Sequence, residues 1–410
     1  MVCIPPREVN VSGILYPNTP KVLPTWEIVV KCTVCGCVEL VALFGNILVI
    51  SIVAQSRKMR TTTNFYITNL AISDLFVACI PFWIHLVNDV TDGWFLGEFL
   101  CKFNAFVQIT AMCASVFTLM AIAGDRFFAI IFPLKSRVTQ RKVSVVIVLV
   151  WLSSAAIGIP SLLVYTYNER HWKNHLERFC TDVWPVQETS DGVCDNGLTS
   201  KRAYWTLVVV VLNWVPMIVM TIAYTVIVLK LRFNRIVPSS GELSLSAIQQ
   251  RSKRKVVKML FSVLIVFMVC TIPFQVSKLF ELYRDDQEER LPDWYSPLYF
   301  SAIIMMYTNS AINPVLYGGL NENFRNGFRD LINAILNRKS HSHKALLNAL
   351  WTSNRSRVVV DELGTKPEMD HLQVPTVAMS YINPSVDVSG EEPSRTADRA
   401  TRQCSNSSGT

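Results

Sequence analysis

Hydrophobic positions along this chain fall in long unbroken runs rather than in alternation. Stretches such as Val34–Val53 and Val143–Tyr165 stay apolar around every helical face. They approach or exceed the roughly 20 residues that cross a ~30 Å hydrocarbon layer as a helix, whereas a soluble core helix keeps a polar face over that length. Runs bounded by polar punctuation give seven spans, at about Ile28–Ala54, Asn64–Val90, Glu98–Phe132, Lys142–Tyr165, Ala203–Leu231, Lys255–Leu282 and Asp293–Leu320. The third carries Asp125-Arg126 near one end and the seventh is interrupted by Asn313-Pro314, so these two are the weaker runs. Pro81, Pro160, Pro216, Pro273 and Pro314 read as kinks, because spanning helices tolerate proline when neighbours satisfy the freed carbonyls. The expected fold is an all-α membrane protein, a seven-transmembrane helix bundle over residues 28–322 preceded by a tail at 1–27.

Charge sets the orientation. Arg57, Lys58 and Arg60 follow the first span; Lys135, Arg137, Arg141 and Lys142 follow the third; Lys230, Arg232, Arg235, Arg251, Lys253, Arg254, Lys255 and Lys258 follow the fifth. Alternate loops are acidic, with Asp89, Asp92 and Glu98 in one and Glu281, Asp285, Asp286, Glu288, Glu289 and Asp293 in another. Lys and Arg mark the cytoplasmic side, which places the N-terminus outside and the C-terminus inside, as seven spans require. The net charge of +8 therefore reports topology, and a nucleic-acid-binding face is set aside. Asn10 opens an Asn-Val-Ser glycosylation sequon on the outer tail. No basic start precedes an apolar run there, so the first span is expected to direct its own insertion.

After the seventh span, Phe324, Phe328, Leu331, Ile332 and Ile335 recur at helical spacing beside Arg325, Arg329 and Arg338. This predicts an amphipathic helix over 323–338, lying on the inner surface with its arginines toward anionic lipid. Residues 339–410 are rich in Ser, Thr, Asp and Pro and are expected to be disordered.

The cysteines separate into two environments. Cys79, Cys113 and Cys270 sit in apolar runs, where a thiol behaves as a small hydrophobe; Cys3, Cys101, Cys180 and Cys194 sit in polar segments that an oxidising exterior would bridge. Cys32, Cys35 and Cys37 open an apolar run and do not read as a zinc site. Neither a nucleophile–base constellation nor a Gly-rich phosphate loop points to an enzyme, and the expectation is binding without catalysis.

Ionisable residues inside a span are costly and mark function unless a packing hydrogen bond explains them. Asp74, isolated in Asn69-Leu-Ala-Ile-Ser-Asp74, is the sharpest case, and Arg126 beside Asp125 is the next. A transporter would carry a polar pathway or internal repeats, and the sequence shows neither. Gly45-Asn46 lies in the first span, Leu70-Ala71 and Asp74 in the second, Asp125-Arg126-Phe127 at the end of the third and Trp151 in the fourth. Pro216 and Tyr224 follow in the fifth, Phe267-x-x-Cys270-x-x-Pro273 in the sixth, and Asn309-Ser310 with Asn313-Pro314-Val-Leu-Tyr317 in the seventh. This ordered set, one signature per span over about 28–337, resembles the rhodopsin-like (class A) G protein-coupled receptors.

The resemblance implies an extracellular ligand, a heterotrimeric G protein as partner, and receptor kinases and arrestin acting on the hydroxyl-rich tail. It implies no cofactor beyond an allosteric sodium ion held by Asp74, Ser115, Asn309 and Asn313, a sensible oxygen set for a hard cation. Arg126 matches the arginine that faces the G protein, with Asp125 beside it and Tyr224 and Tyr317 as the tyrosines that swing toward it. Pro216, Val116 and Phe267, with Pro273 and Pro314, match the packing switch that moves the sixth helix. Three positions depart from the family pattern. Phe127 replaces the usual Tyr, Thr271 stands where a Trp is common, and Lys253 stands where some members place an acid facing the arginine.

No lysine lies between Asp293 and Leu320, which excludes a retinal Schiff base. Gln108, about five turns before Arg126, stands where amine receptors use an aspartate and carries no charge. Phe179-Cys180-Thr-Asp182-Val-Trp184-Pro185, Trp94-Phe-Leu-Gly97 and Cys101-Lys-Phe-Asn-Ala-Phe-Val-Gln108 resemble neuropeptide Y and RFamide receptors. That resemblance implies a Cys101–Cys180 bridge and a hairpin over an open peptide pocket; a second bridge, Cys3–Cys194, stays open. The acids at the rim would steer a cationic ligand, such as a short amidated peptide containing arginine, with tachykinin-like or orexin-like peptides as alternatives. Gln108, His85, Asp182, Trp184, Glu281 and Tyr307 are the expected ligand contacts.

Overall fold

The computed structural model describes residues 11–17, 23–91, 93–132, 140–186, 197–233, 245–284, 292 and 294–333. Asn10, Cys3, Cys194, the acids at 285–289 and the tail beyond 333 lie outside the described residues.

Seven long helices follow one another: α1 (Thr25–Gln55), α2 (Thr62–Val90), α3 (Gly97–Ile131), α4 (Gln140–Val164), α5 (Leu198–Phe233), α6 (Leu245–Tyr283) and α7 (Tyr295–Leu320). Six of them, α1 to α6, are long and apolar enough to cross a membrane. The third run, expected to be weak, is among these; the seventh remains the least apolar, because Tyr, Asn, Ser, Thr and Gly recur along it. A shorter helix, α8, covers 322–333.

Helix α6 begins ten residues before the apolar run, since its polar N-terminal stretch contains neither Gly nor Pro to stop it. Tyr165, assigned by hydropathy to the fourth span, instead opens strand β1 (Tyr165–His171), which pairs antiparallel with β2 (Leu176–Asp182). All seven residues of β1 are polar or aromatic, a poor composition for continuing through lipid.

The kinks at Pro81 and Pro216 take a specific form. Pro81 sits within a π-helical turn, Ala78–Phe82, and a second wide stretch, Leu207–Trp214, runs up to Pro216. Proline donates no backbone N–H, so the ladder widens near it. Asn213 donates its side-chain amide to the Val208 carbonyl at 2.6 Å, taking up one acceptor within the wide stretch.

Helices pack through small residues and buried amides, because lipid supplies no hydrophobic drive between them. A Cβ on Gly45 would lie 2.8 Å from Cβ and Cγ of Pro314, so α1 and α7 touch where only glycine fits. Asn46 donates to the Ser310 carbonyl at 2.9 Å across the same contact. Asn69 bonds Thr118 at 2.8 Å and accepts from the Trp151 indole at 2.8 Å, tying α2, α3 and α4 together. The main apolar cluster, including Val116, Tyr224, Phe267, Tyr317 and Phe324, fills the half of the bundle away from the hairpin. Phe324, Phe328 and Leu331 face that cluster while Arg325 and Arg329 are exposed, so α8 is amphipathic as expected.

Candidate functional site

The β1–β2 hairpin forms one end of the bundle and is fastened to α3 by Cys101–Cys180, whose Cα atoms are 5.7 Å apart. The Trp94 amide donates to the Arg178 carbonyl at 2.8 Å, docking the turn before α3 onto β2. Gly93 permits this: its φ is +89°, and a Cβ there would meet that same carbonyl at 2.8 Å. Trp94 is buried beside Ile84 and Cys101 and its indole donates to the Gly97 carbonyl, which gives the Trp-Phe-Leu-Gly segment a structural purpose. On the hairpin's exposed face, the Tyr167 hydroxyl and Arg178 hold the Glu169 carboxyl below its usual range.

Beneath the hairpin, His85 Nε2 on α2 and Gln108 Oε1 on α3 are 3.1 Å apart. Tyr307 on α7 stacks on Phe82 with ring centroids 4.7 Å apart and lies 5.8 Å from the His85 ring. Its hydroxyl is buried with no partner among the described residues. Three of the six expected ligand residues are thus neighbours.

The other three belong to a layer of ion pairs. Asp182, at the end of β2, accepts from Lys201 of α5 at 3.0 Å and from the Trp184 indole at 2.7 Å. Glu281 on α6 accepts from Lys278 at 3.0 Å and from the Tyr295 hydroxyl at 3.2 Å. Lys278 also stands over the Tyr299 ring at 5.0 Å. Sequence reading takes Asp182 and Glu281 as free acids on an acidic rim; each instead has its own lysine. Lys278 was legible by the rule that singles out Asp74, as an ionisable residue inside an apolar span. Lys201 gave no such signal, since its pairing depends on how the hairpin folds back.

Midway along the bundle, Asp74 is 2% exposed. Its carboxylate accepts from Ser310 Oγ and Asn313 Nδ2, both at 2.9 Å. Ser115 and Asn309, expected with Asn313 around this carboxylate, are buried but donate no hydrogen bond to it. Ser310 and Asn313 are one turn apart on α7, and Asn309, four residues before Asn313, shares a face with it. The side-chain carbonyls of Asn309, Asn313 and Asn46 are buried without partners among the described residues. A carboxylate with unpaired amide oxygens on adjoining helices fits a hard monovalent cation.

At the opposite end, Arg126 bonds the adjacent Asp125 through Nη2 and, at 3.0 Å, through Nε. It lines a cleft of about 330 Å³ with Lys58, Asn64, Lys255, Met259 and Glu322. Lys253 is exposed, and Lys255 pairs with Glu322 at 2.5 Å, linking α6 to α8. Tyr224 and Tyr317 are buried near this end, and Phe267 and Val116 pack in the cluster above it. The Thr271 hydroxyl bonds the Phe267 carbonyl at 2.8 Å within α6.

A family model for seven-transmembrane receptors of the rhodopsin family matches residues 45–317. The chain belongs to that family. Among similar receptors, "Tachykinin-like peptides receptor 99D" of Drosophila melanogaster is 32% identical over 310 residues, 75% of this chain and 58% of that receptor. "Neuropeptide FF receptor 2" of Rattus norvegicus is 33% identical over 298 residues, covering 70% of this chain and 68% of the relative. "QRFP-like peptide receptor" of Branchiostoma floridae is 34% identical over 310 residues, 73% of this chain and 77% of the relative. Against the two Drosophila tachykinin-like receptors, this receptor spans only 58% and 61% of their length.

Proposed function

We propose that this rhodopsin-family chain is a receptor for an extracellular neuropeptide and passes agonist binding to a heterotrimeric G protein. The carrying observation is the side-chain contact between His85 and Gln108, at the same end of the bundle as a layer of lysine–carboxylate pairs. An imidazole beside a side-chain amide, each able to donate and accept, suits a peptide's amide end, and paired charges suit a ligand that carries hydrogen-bonding groups of both polarities. The named ligand classes of the relatives, tachykinin-like, neuropeptide FF and QRFP-like peptides, support the same reading, and a short amidated peptide containing arginine satisfies it best. Its guanidinium would compete with Lys278 or Lys201 for Glu281 or Asp182, so recognition works by exchange of partners at short range.

In this reading the hairpin end is extracellular and the Arg126 cleft cytoplasmic, which places the N-terminus outside in the plasma membrane and the C-terminus inside. Asp74, Ser310 and the unpaired carbonyls of Asn309 and Asn313 would hold a sodium ion that favours the resting arrangement. The Arg126–Asp125 pair restrains the resting cytoplasmic end, in place of a contact with α6. Agonist binding shifts the population between two helix arrangements and no covalent step is involved. Receptor kinases and arrestin would act on the tail beyond residue 339. A panel of amidated peptides tested on transfected cells, reading calcium and cyclic AMP, tests the proposal. Robust responses to one class, absent from mock-transfected cells, support it; silence across all peptide classes with the receptor at the surface refutes it.

A further inference from the structure

An indole is missing from α6 and present on α5. Thr271 stands where a tryptophan is common, and its hydroxyl is spent inside its own helix, on the Phe267 carbonyl at 2.8 Å. Across the gap, Trp214 of α5 donates its indole N–H to Gln275 Oε1 of α6 at 2.7 Å. Gln275 lies one turn from Thr271 toward the hairpin end. The bond therefore joins the two helices close to the level of the missing ring.

Gln275 is placed to connect the two ends of α6. Phe267, Thr271, Gln275 and Lys278 follow one another at spacings of four, four and three residues, and so share one face of the helix. That stripe runs from the ion-pair layer, where Lys278 bonds Glu281, to the main apolar cluster, where Phe267 packs. Gln275 is fully buried, as is Asn213, the residue before Trp214. Among the described residues, Gln275 Nε2 and Asn213 Oδ1 have no partner. One is a donor on α6 and the other an acceptor on α5, so α6 has a second bond to make when the first is released. Their unmade bonds raise the energy of the present arrangement and bring an alternative within reach.

Trp214 also has room to leave. It is half-buried, and it lines a groove of about 430 Å³ with Met217 and Thr221 of α5 and Met268, Ile272 and Val276 of α6. The ring can swing into that groove without cutting into the packed core. The wide stretch Leu207–Trp214 ends at this tryptophan, and wide turns inside helices gather at functional sites.

We propose that the Trp214–Gln275 bond is a latch holding α6 against α5 in the arrangement that keeps Arg126 paired with Asp125. Trp214 and Gln275 are positioning residues, acting on the Arg126 cleft through α6. The inference rests on the receptor reading for the purpose of that motion. Its test uses neither peptide nor G protein, so the two fail separately.

Hydrogen–deuterium exchange of the purified full-length receptor in detergent reads the latch. Trp214→Phe removes the donor and keeps a ring; Gln275→Met removes the acceptor and keeps the side-chain length. Each should speed backbone exchange at the inner end of α6, around residues 253–259, roughly two- to tenfold, the scale of one hydrogen bond. Exchange in α1 and α2 should stay at the wild-type rate. The double variant should match the single ones, because both remove one shared bond. Where Trp214→Phe does not fold, Gln275→Met carries the test alone. Wild-type exchange at the inner end of α6 in either folded single variant overturns the proposal. So does a uniform rise across all helices, or a double variant that multiplies the single effects.

Discussion

His85 on α2 and Gln108 on α3 meet side chain to side chain at 3.1 Å. The contact joins two helices of the hairpin end through groups that carry no fixed charge, at the position where a charged anchor would otherwise select an amine. If the peptide's amide end binds here, it must insert into or replace this bond. Gln108→Leu and His85→Phe should each reduce agonist potency by about 10- to 100-fold, the scale of one buried hydrogen bond left unmade. The double variant should fall short of the sum, because both remove one shared contact. Concentration–response curves at matched surface expression measure this, and full additivity would separate the two residues functionally.

The charge layer makes a different prediction. Glu281→Lys should weaken agonist potency and Glu281→Gln should do so to a lesser degree, because Lys278 then loses its partner while Tyr299 stays beneath it. Since Asp182 and Glu281 each have a lysine, raising ionic strength should alter the agonist on-rate little through these four groups. A steep salt dependence that disappears in a Glu281→Gln, Asp182→Asn variant would show that these acids act as an unpaired steering field.

Stability of the bundle depends on a close approach. Gly45→Ala places a Cβ 2.8 Å from two carbons of Pro314, so α1 and α7 must part or the proline ring must shift. The expected destabilisation is about 1–3 kcal/mol, visible as a lower melting temperature of the detergent-solubilised receptor. Gly319→Ala, with open space around its Cβ, should show no comparable loss. Equal melting temperatures for the two variants would contradict the packing argument.

Asp74 provides the ion test. If its carboxylate and the asparagine oxygens hold sodium in the resting state, added sodium should lower agonist affinity in the wild type. Asp74→Asn should remove that sensitivity, and Ser310→Ala should reduce it more than Ser115→Ala does, since Ser310 bonds the carboxylate directly. Competition binding in sodium against a large organic cation at constant ionic strength separates these cases. Identical sodium shifts in wild type and Asp74→Asn would exclude this site.

Much of the fold was legible because membrane helices declare themselves in one dimension. All seven spans follow from the hydrophobic runs, although Asn313-Pro314 interrupts the seventh and makes it a weaker one. The amphipathic spacing of Phe324, Phe328 and Leu331 foretold α8 for the same reason. Features set by distant parts of the chain stayed hidden. Nothing near Asp182 in sequence announces Lys201. At Asp74 the motifs point to Ser115, Asn309 and Asn313, while the carboxylate accepts from Ser310 and Asn313, because a motif records type and order, not which side of a helix a residue faces. The wide turns at Ala78–Phe82 and Leu207–Trp214 were expected only as kinks, since proline signals a lost N–H without fixing how the backbone recovers.

The account's central claim is that peptide binding at the hairpin end is read out at Arg126, some distance away in the opposite cleft. Agonist-stimulated nucleotide exchange on purified G protein, compared between wild-type receptor and Arg126→Ala at equal peptide occupancy, tests it most directly. The account predicts that the variant still binds the peptide while exchange falls to the unstimulated level. Exchange that proceeds undiminished with Arg126 removed would contradict it.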